Sequence, residues 1–451
     1  MKISQALRIG PDTRMAFVGA GGKTTAMLRS ARQFHGKVLV TSTTHFACEE
    51  AGLADHHFLV QQAGDLDQME PLLVDGINLI TAPEVPANRL GGLSDSLING
   101  SRRLADRLNA PLLIEADGSR RHPLKAPASH EPHIPDWVNT VVAVAGLSAI
   151  GKPLNENCVF RPEIFSDLSG KPLKCLITLD DVCNVCLHPL GGLKNIPEGA
   201  EKILLFNQKD ISTVGVTEIE RKWKKLQEKW NSVLLSTMAD EDNEVKNRLE
   251  KVAGIILAAG RSERFGIPKQ LLDWKGKPFI QHIVEAALQA GLDPIVVVLG
   301  AVVEPIMQRL QAHPSIIYAV NEEWLTGQAG SISRGVKEIA SQCGAAVFLM
   351  SDMPQISTDI LKSYLEYMKI NDFLILAPRV KGQPTNPVMF DKRCFPALMN
   401  LRGEIGGRQL FEHYPVTWVD LIDPFLALDV DTREDYQALL SRKDVREDSD
   451  G

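Results

Sequence analysis

Two short stretches of this 451-residue chain gather residue types that handle phosphate. In FVGAGGKTT, residues 17–25, an apolar run is followed by glycines, a lysine and two threonines. Backbone amides with little side-chain bulk, a helix N-terminus, an ammonium and a hydroxyl able to ligate a metal are what a phosphate loop needs. The spacing is shorter than usual. In the common loop a glycine stands five positions before Gly-Lys, but here that position is Phe17 and the first glycine is Gly19. Gly19, Gly21, Gly22, Lys23, Thr24 and Thr25 are therefore candidates for holding ATP or GTP, against the plainer reading of a glycine turn without ligand. In PLLIEAD an apolar run delivers Glu115 and Asp117 to one face; Glu115, with Thr24, is a candidate for Mg²⁺, and Asp117 for the nucleotide site. The second stretch, GIILAAGRSERFGIPK (254–269), ends an apolar run in Leu257, Ala258, Ala259 and Gly260, small enough for amides to approach a triphosphate. Ser262, Arg264 and Lys269 follow, the last two bringing charge to the phosphates.

Strands must present these residues. Short β-branched runs alternate with helical patterns throughout: KVLVTST, PLLIEAD, TVVAVAG and KILLFN in the first half, AGIILAAG, PIVVVLG, AAVFLMSD and DFLILAPRV in the second. The alternation predicts an α/β protein of two domains, each a mostly parallel sheet covered by helices, with ligands outside the carboxyl ends of the strands. The polar stretch STMADEDNEVKNRLEK marks the boundary, and VTEIERKWKKLQEKW before it has the apolar spacing of a helix closing the first domain. The expected division is 1–237 as a P-loop-type domain, 238–250 as a linker, 251–441 as the second domain and 442–451 as a disordered tail.

The first half resembles the YqeC family over about 235 residues. The likeness rests on Gly19 to Thr25, TSTTH (41–45), IEADGSRRHPLKAP, HPLGGLKNIP (188–197) and the strand end FNQKD. It implies a nucleotide-binding accessory domain for maturation of selenium-dependent molybdenum hydroxylases, with an apo-hydroxylase as client.

The second half closely resembles MobA/MocA-like nucleotidyltransferases through Leu257, Ala258, Ala259, Gly260, Ser262, Arg264, Gly266 and Lys269, with Phe265 in place of the usual methionine. The resemblance implies a Rossmann-like fold of the nucleotide-diphospho-sugar transferase type. It casts Asp352 and Asp431 as Mg²⁺ ligands, with Asp429 second, and Arg264 and Lys269 as triphosphate holders. Asn321, Trp324, Gly327, Ser331 and Gly335 match a loop that surrounds the nucleotide or acceptor. Asn386 and Arg408 fall in acceptor-side motifs, where Thr385 and Glu404 depart from the family pattern. Within the family, the Leu-Ala-Ala-Gly start that includes Ala259 accompanies cytidylyltransferases, which favours CTP over GTP, with molybdopterin cofactor as acceptor. A sugar- or alditol-phosphate nucleotidyltransferase and a non-catalytic cofactor carrier are the other readings.

A formal net charge of −7, 44% hydrophobic and 23% charged residues fit a globular protein and leave no basic stripe for nucleic acid. No apolar run is long enough for a membrane span, and the N-terminus lacks a secretory core, so a cytoplasmic protein is expected. Seven cysteines read as reduced thiols. Cys183 and Cys186, on a helical segment, fit buried apolar thiols better than a zinc site, which needs four ligands. Asn207 and Asp210 stand where a guanine-reading motif would, but Gln208 replaces its lysine, so a plain strand-to-turn junction is the simpler reading.

Overall fold

The computed structural model describes residues 1–86, 88–260 and 265–441. The chain divides into two units, Met1–Leu249 and Glu250–Gly451. Among the described residues no helix is long and apolar enough to cross a membrane.

The first unit is built on β1 (Arg14–Gly19), α1 (Lys23–Arg32), β2 (Lys37–Ser42), β3 (Gly76–Val85), α2 (Asp95–Leu108), β4 (Leu112–Glu115), β5 (Thr140–Gly146), β6 (Glu201–Asn207), α3 (Val216–Leu226), β7 (Ser232–Ser236) and β8 (Val245–Glu250). Their order across the sheet is β8-β7-β6-β5-β1-β4-β2-β3, with short strands beyond β3. The pairs from β7 to β3 are parallel. Both faces are covered. Alternation sends Ala16 and Val18 into one apolar core and Met15 and Phe17 into another, as a sheet buried on both sides requires. The register pairs Phe17 and Ser42 with Glu115, Gly19 with Val144, and Asn207 with Gly146, so the strand ends that carry polar residues share one edge.

Helix α3 forms because Val216, Ile219, Trp223 and Leu226 recur at three- and four-residue intervals against the core. It does not close the unit. Two strands follow it, and the segment 238–250, expected as a linker, supplies β8 beside β7. Thr237 donates its amide to the Glu244 carbonyl at 2.8 Å, closing the turn between them.

The second unit contains β9 (Val252–Ala258), α4 (Phe279–Ala290), β10 (Ile295–Leu299), β11 (Ile316–Val320), α5 (Gln328–Ile339), β12 (Ala345–Met350), α6 (Thr358–Ile370), β13 (Ile375–Val380), β14 (Val388–Asp391) and β15 (Val416–Leu421). The order is β11-β10-β9-β12-β14-β13, with β15 parallel to β13. Strands β11, β10, β9 and β12 are parallel, whereas β14 runs antiparallel to both neighbours. Ile256 and Ala258 face one core, Ile255 and Leu257 the other. The anticipated tail, 442–451, lies outside the described residues.

Candidate functional sites in the two units

In the first unit β1 hands the chain to α1 through a tight glycine turn. Gly21 and Gly22 take φ of 93° and 110°, and a Cβ on Gly21 would stand 2.4 Å from the Gly146 nitrogen. Only glycine fits there. Three loop amides are already used: Gly19 donates to both carboxylate oxygens of Asp117 at 3.2 and 3.0 Å, Ala20 to the Val144 carbonyl and Gly21 to the His122 carbonyl. The amides facing outward from the first turn of α1, those of Lys23, Thr24 and Thr25, have no partner one turn back and are the ones able to meet an anion.

The side chains of this loop converge on two carboxylates, Glu115 at the end of β4 and Asp117 just beyond it. Lys23 Nζ lies 3.1 Å from Asp117 and 3.5 Å from Glu115, and Thr24 Oγ1 donates to Glu115 Oε2 at 2.7 Å. Burial alone would lower the Lys23 pKa; the two carboxylates more than offset it and hold the ammonium above its usual range. Thr25 is exposed. Asn207 braces the loop, donating to the Gly21 carbonyl at 2.7 Å and accepting from Ser236, so this side chain is occupied structurally, while Asp210 is exposed. Ser42 donates to the Glu115 carbonyl at 2.9 Å, and His45 is exposed.

The network continues through Glu131 and Arg161, which nothing in the sequence singled out. Lys125 Nζ lies 2.8 Å from Asp117 and 2.8 Å from Glu131, and Glu131 is gripped by the Arg161 guanidinium at 2.7 and 3.1 Å. Burial would raise the Glu131 pKa, but hydrogen bonds from Arg161 and Lys125 bring it down to about 2. Cys183 and Cys186 sit in the core, where burial pushes the Cys183 thiol up to about 12 and Cys186 further still. Inert thiols of this kind behave as small apolar side chains.

In the second unit β9 ends at Ala258, and the chain beyond Gly260 enters 261–264; Ser262 and Arg264 lie outside the described residues. Gln270, not singled out by the sequence, donates to the carbonyls of Ala258 and Gly260, both at 3.1 Å, and so fixes the strand end. Its only signal is adjacency to Lys269. Lys269 forms an ion pair with Asp431 and lies 4.0 Å from Asp352. Asp352 follows β12; burial first, and then the charge of Asp429, pushes its carboxyl up to about 6. Its Oδ1 is buried without a hydrogen-bond partner among the described residues. Asp429 is likewise raised, by burial opposed by Arg408 and reinforced by Asp431.

Beside these carboxylates a cavity of about 340 Å³ is lined by Leu257, Gln328, Asn386, Arg408, Asp429 and Phe348, among others. The structure thus gathers Leu257, Asn386, Arg408 and Asp429 at one cavity. It does not place Asn321 and Ser331 there: both are buried, and Asn321 Nδ2 donates to Ser331 Oγ at 3.0 Å. Gly327 starts α5 at φ 114°, and a Cβ there would stand 2.4 Å from the Gly403 carbonyl, so it packs two loops together. Among the described residues no group of three or more His, Cys, Asp or Glu is arranged to hold a metal by itself.

Comparison with known proteins agrees with this division. Residues 15–163 match the family model for YqeC protein, and residues 254–418 match that for the MobA-like NTP transferase domain. The uncharacterized protein YqeC of Escherichia coli is 29% identical over 220 residues, covering 44% of this chain and 76% of that protein. The purine catabolism protein PucB of Bacillus subtilis is 30% identical over 203 residues, 41% of this chain and 93% of its own length. A probable molybdenum cofactor guanylyltransferase of Bacillus mycoides is 30% identical over 135 residues, 30% of this chain and 65% of the relative. The chain belongs to the MobA-like NTP transferase family through its second unit and carries a YqeC domain in its first.

Proposed function

We propose that the second unit transfers CMP from CTP to the terminal phosphate of molybdenum cofactor, releasing pyrophosphate, and that the first unit binds ATP or GTP as an accessory in maturing a molybdenum hydroxylase. The observation that carries the reading is the meeting of Lys269, Asp352, Asp429 and Asp431 at the end of β9 and β12, beside a cavity of a size for a small molecule. In it, Lys269 draws the triphosphate, Asn386 and Arg408 orient the acceptor across the cavity, and the acceptor's own phosphate oxygen attacks the α-phosphorus in line, so no protein nucleophile is needed.

The unpartnered Asp352 oxygen and the mutual crowding of three carboxylates fit a hard divalent cation, whose remaining ligands would be phosphate oxygens and water. Asp352 with Asp431 or Asp429 would hold Mg²⁺ there, and in the first unit Thr24 and Glu115 would do so. A cation so bound supplies neutralisation of charge on the α-phosphate and the departing pyrophosphate.

Guanylyl transfer is the second reading, favoured by the likeness to the relative named for that activity. Incubating the full chain with Mg²⁺, molybdenum cofactor and each nucleoside triphosphate in turn separates the two. Pyrophosphate release with CTP is expected, falling at least ~100-fold in Asp352→Asn; release with GTP alone overturns the cytidylyl assignment, and maturation of the hydroxylase client at full rate by Asp352→Asn would favour a carrier.

A further inference from the structure

A cleft of about 780 Å³ opens on the first unit, lined by Arg89, Arg120, Arg121 and Arg161 with only Glu49 and Glu131 as carboxylates. Two of the four guanidiniums are neutralised: Arg121 pairs with Glu49 at 2.6 Å and Arg161 with Glu131 at 2.7 Å. Arg89 and Arg120 have no carboxylate partner within ion-pair distance among the described residues. Arg89 donates one terminal nitrogen to the His45 carbonyl at 2.7 Å, while its Nε is buried with no hydrogen-bond partner. The Arg120 guanidinium lies 5.1 Å from the centre of the Phe160 ring, which also carries Arg161 at 4.2 Å, so one aromatic ring helps to hold two guanidinium forks.

The backbone adds a second observation. Arg120, Arg121 and Arg161 take φ of 49°, 60° and 66°, a left-handed conformation that side chains of this size rarely adopt. Three strained arginines around one cleft are what a pre-formed ligand clamp looks like, because such strain persists where the surrounding structure holds it for use.

We infer that this cleft binds a dianionic phosphate monoester of a small organic molecule, gripped by Arg89 and Arg120. The lining carries four guanidiniums against two carboxylates, with Glu50 close enough to Arg89 and Arg121 to feel their charge, so the cleft stays cationic; a monoester is close to doubly ionised at neutral pH, and the guanidinium fork matches its oxygens. The volume leaves room for the organic group. The site is separate from the amides and the ammonium of the Lys23 loop, though joined to it by the chain of ion pairs from Arg161 through Glu131 and Lys125 to Asp117. It therefore does not rest on what the loop holds.

Calorimetric titration of the full chain with phenyl phosphate tests the inference, with inorganic phosphate and succinate as comparison ligands. Saturable binding of phenyl phosphate is expected, weakened at least ~10-fold in Arg89→Gln and in Arg120→Gly and unchanged in Asp352→Asn. Arg120→Gly is chosen because glycine accepts a φ of 49° without strain, so it removes the guanidinium while the fold is kept. Absence of binding by the unaltered chain, binding that survives both arginine variants, or succinate or inorganic phosphate binding as tightly as phenyl phosphate would each overturn it.

Discussion

The two units assemble their charges in opposite ways. In the first, Lys23 and Lys125 are buried between Glu115, Asp117 and Glu131, every carboxylate has a cation beside it, and Glu131 is held far below its ordinary range. In the second, Asp352, Asp429 and Asp431 crowd together, and Asp352 is pushed up to about 6 although Lys269 is near. The first network pairs each of its carboxylates with a cation and ties the glycine turn to the end of β4. The second is electrostatically unfinished and an incoming cation would stabilise it directly, whereas in the first a cation held by Thr24 and Glu115 would first have to part the contacts that Lys23 and Thr24 already make with Glu115.

This contrast can be broken most sharply at the two lysines. Lys23→Met leaves Glu115 and Asp117 buried with less compensation, and removing one partner of a buried pair costs about 3–5 kcal/mol. Urea unfolding of the first unit should show that loss. Lys269→Met removes a cation from carboxylates that are more exposed, Asp431 above all, whose side chain is 58% accessible. Its effect on unfolding of the second unit should be smaller. Equal losses in the two variants would erase the distinction drawn between the units.

The next largest effect lies at Glu131 and depends on pH. Its folded pKa is about 2 against an ordinary 4.5, a depressed value, so its stabilising contribution is fully present above pH 4.5 and is lost as the pH falls toward 2. The shift corresponds to roughly 3 kcal/mol. Glu131→Gln should therefore unfold more readily than the unaltered chain at pH 7, and the difference should shrink steadily below pH 4.5. A difference independent of pH would mean that packing, not charge, holds Arg161 and Lys125 in place.

Much of this was legible in the sequence, and the exceptions have physical causes. The glycine turn from Gly19 into a helix at Lys23, and the strand ending at Glu115 just before Asp117, were readable because backbone constraint and alternation are local properties, and the first-unit strands fall on the apolar runs that mark them. Glu131 and Arg161 were not readable, since they meet Lys125 only through the fold and no spacing records it. The direction of β14 escaped because Val388 to Phe390 is equally apolar whichever way the strand runs. Strand β8 escaped because it is polar in composition: Val245, Asn247, Arg248 and Leu249 are all buried, so no alternation shows, and Lys246 and Glu250 dilute the run further. Asn321 and Ser331 carried the family pattern, yet that pattern did not distinguish contact with a ligand from contact with each other.

That last ambiguity yields the smallest predicted effect. Asn207 in the first unit and Asn321 in the second are both buried amides that tie a strand end to a neighbouring loop or helix: one donates to the Gly21 carbonyl and accepts from Ser236, the other donates to Ser331 and accepts the Glu323 amide at 3.2 Å. Deleting either hydroxyl, as Ser236→Ala or Ser331→Ala, leaves one buried amide group short of a partner and should cost about 1 kcal/mol in unfolding. Because Ser331 is turned to Asn321 and is absent from the cavity lining, Ser331→Ala should leave KM for the nucleotide within about threefold, a change of well under 1 kcal/mol in binding. A large rise in KM with unchanged stability would instead make Ser331 a contact of the nucleotide, and the two asparagines would then serve different ends.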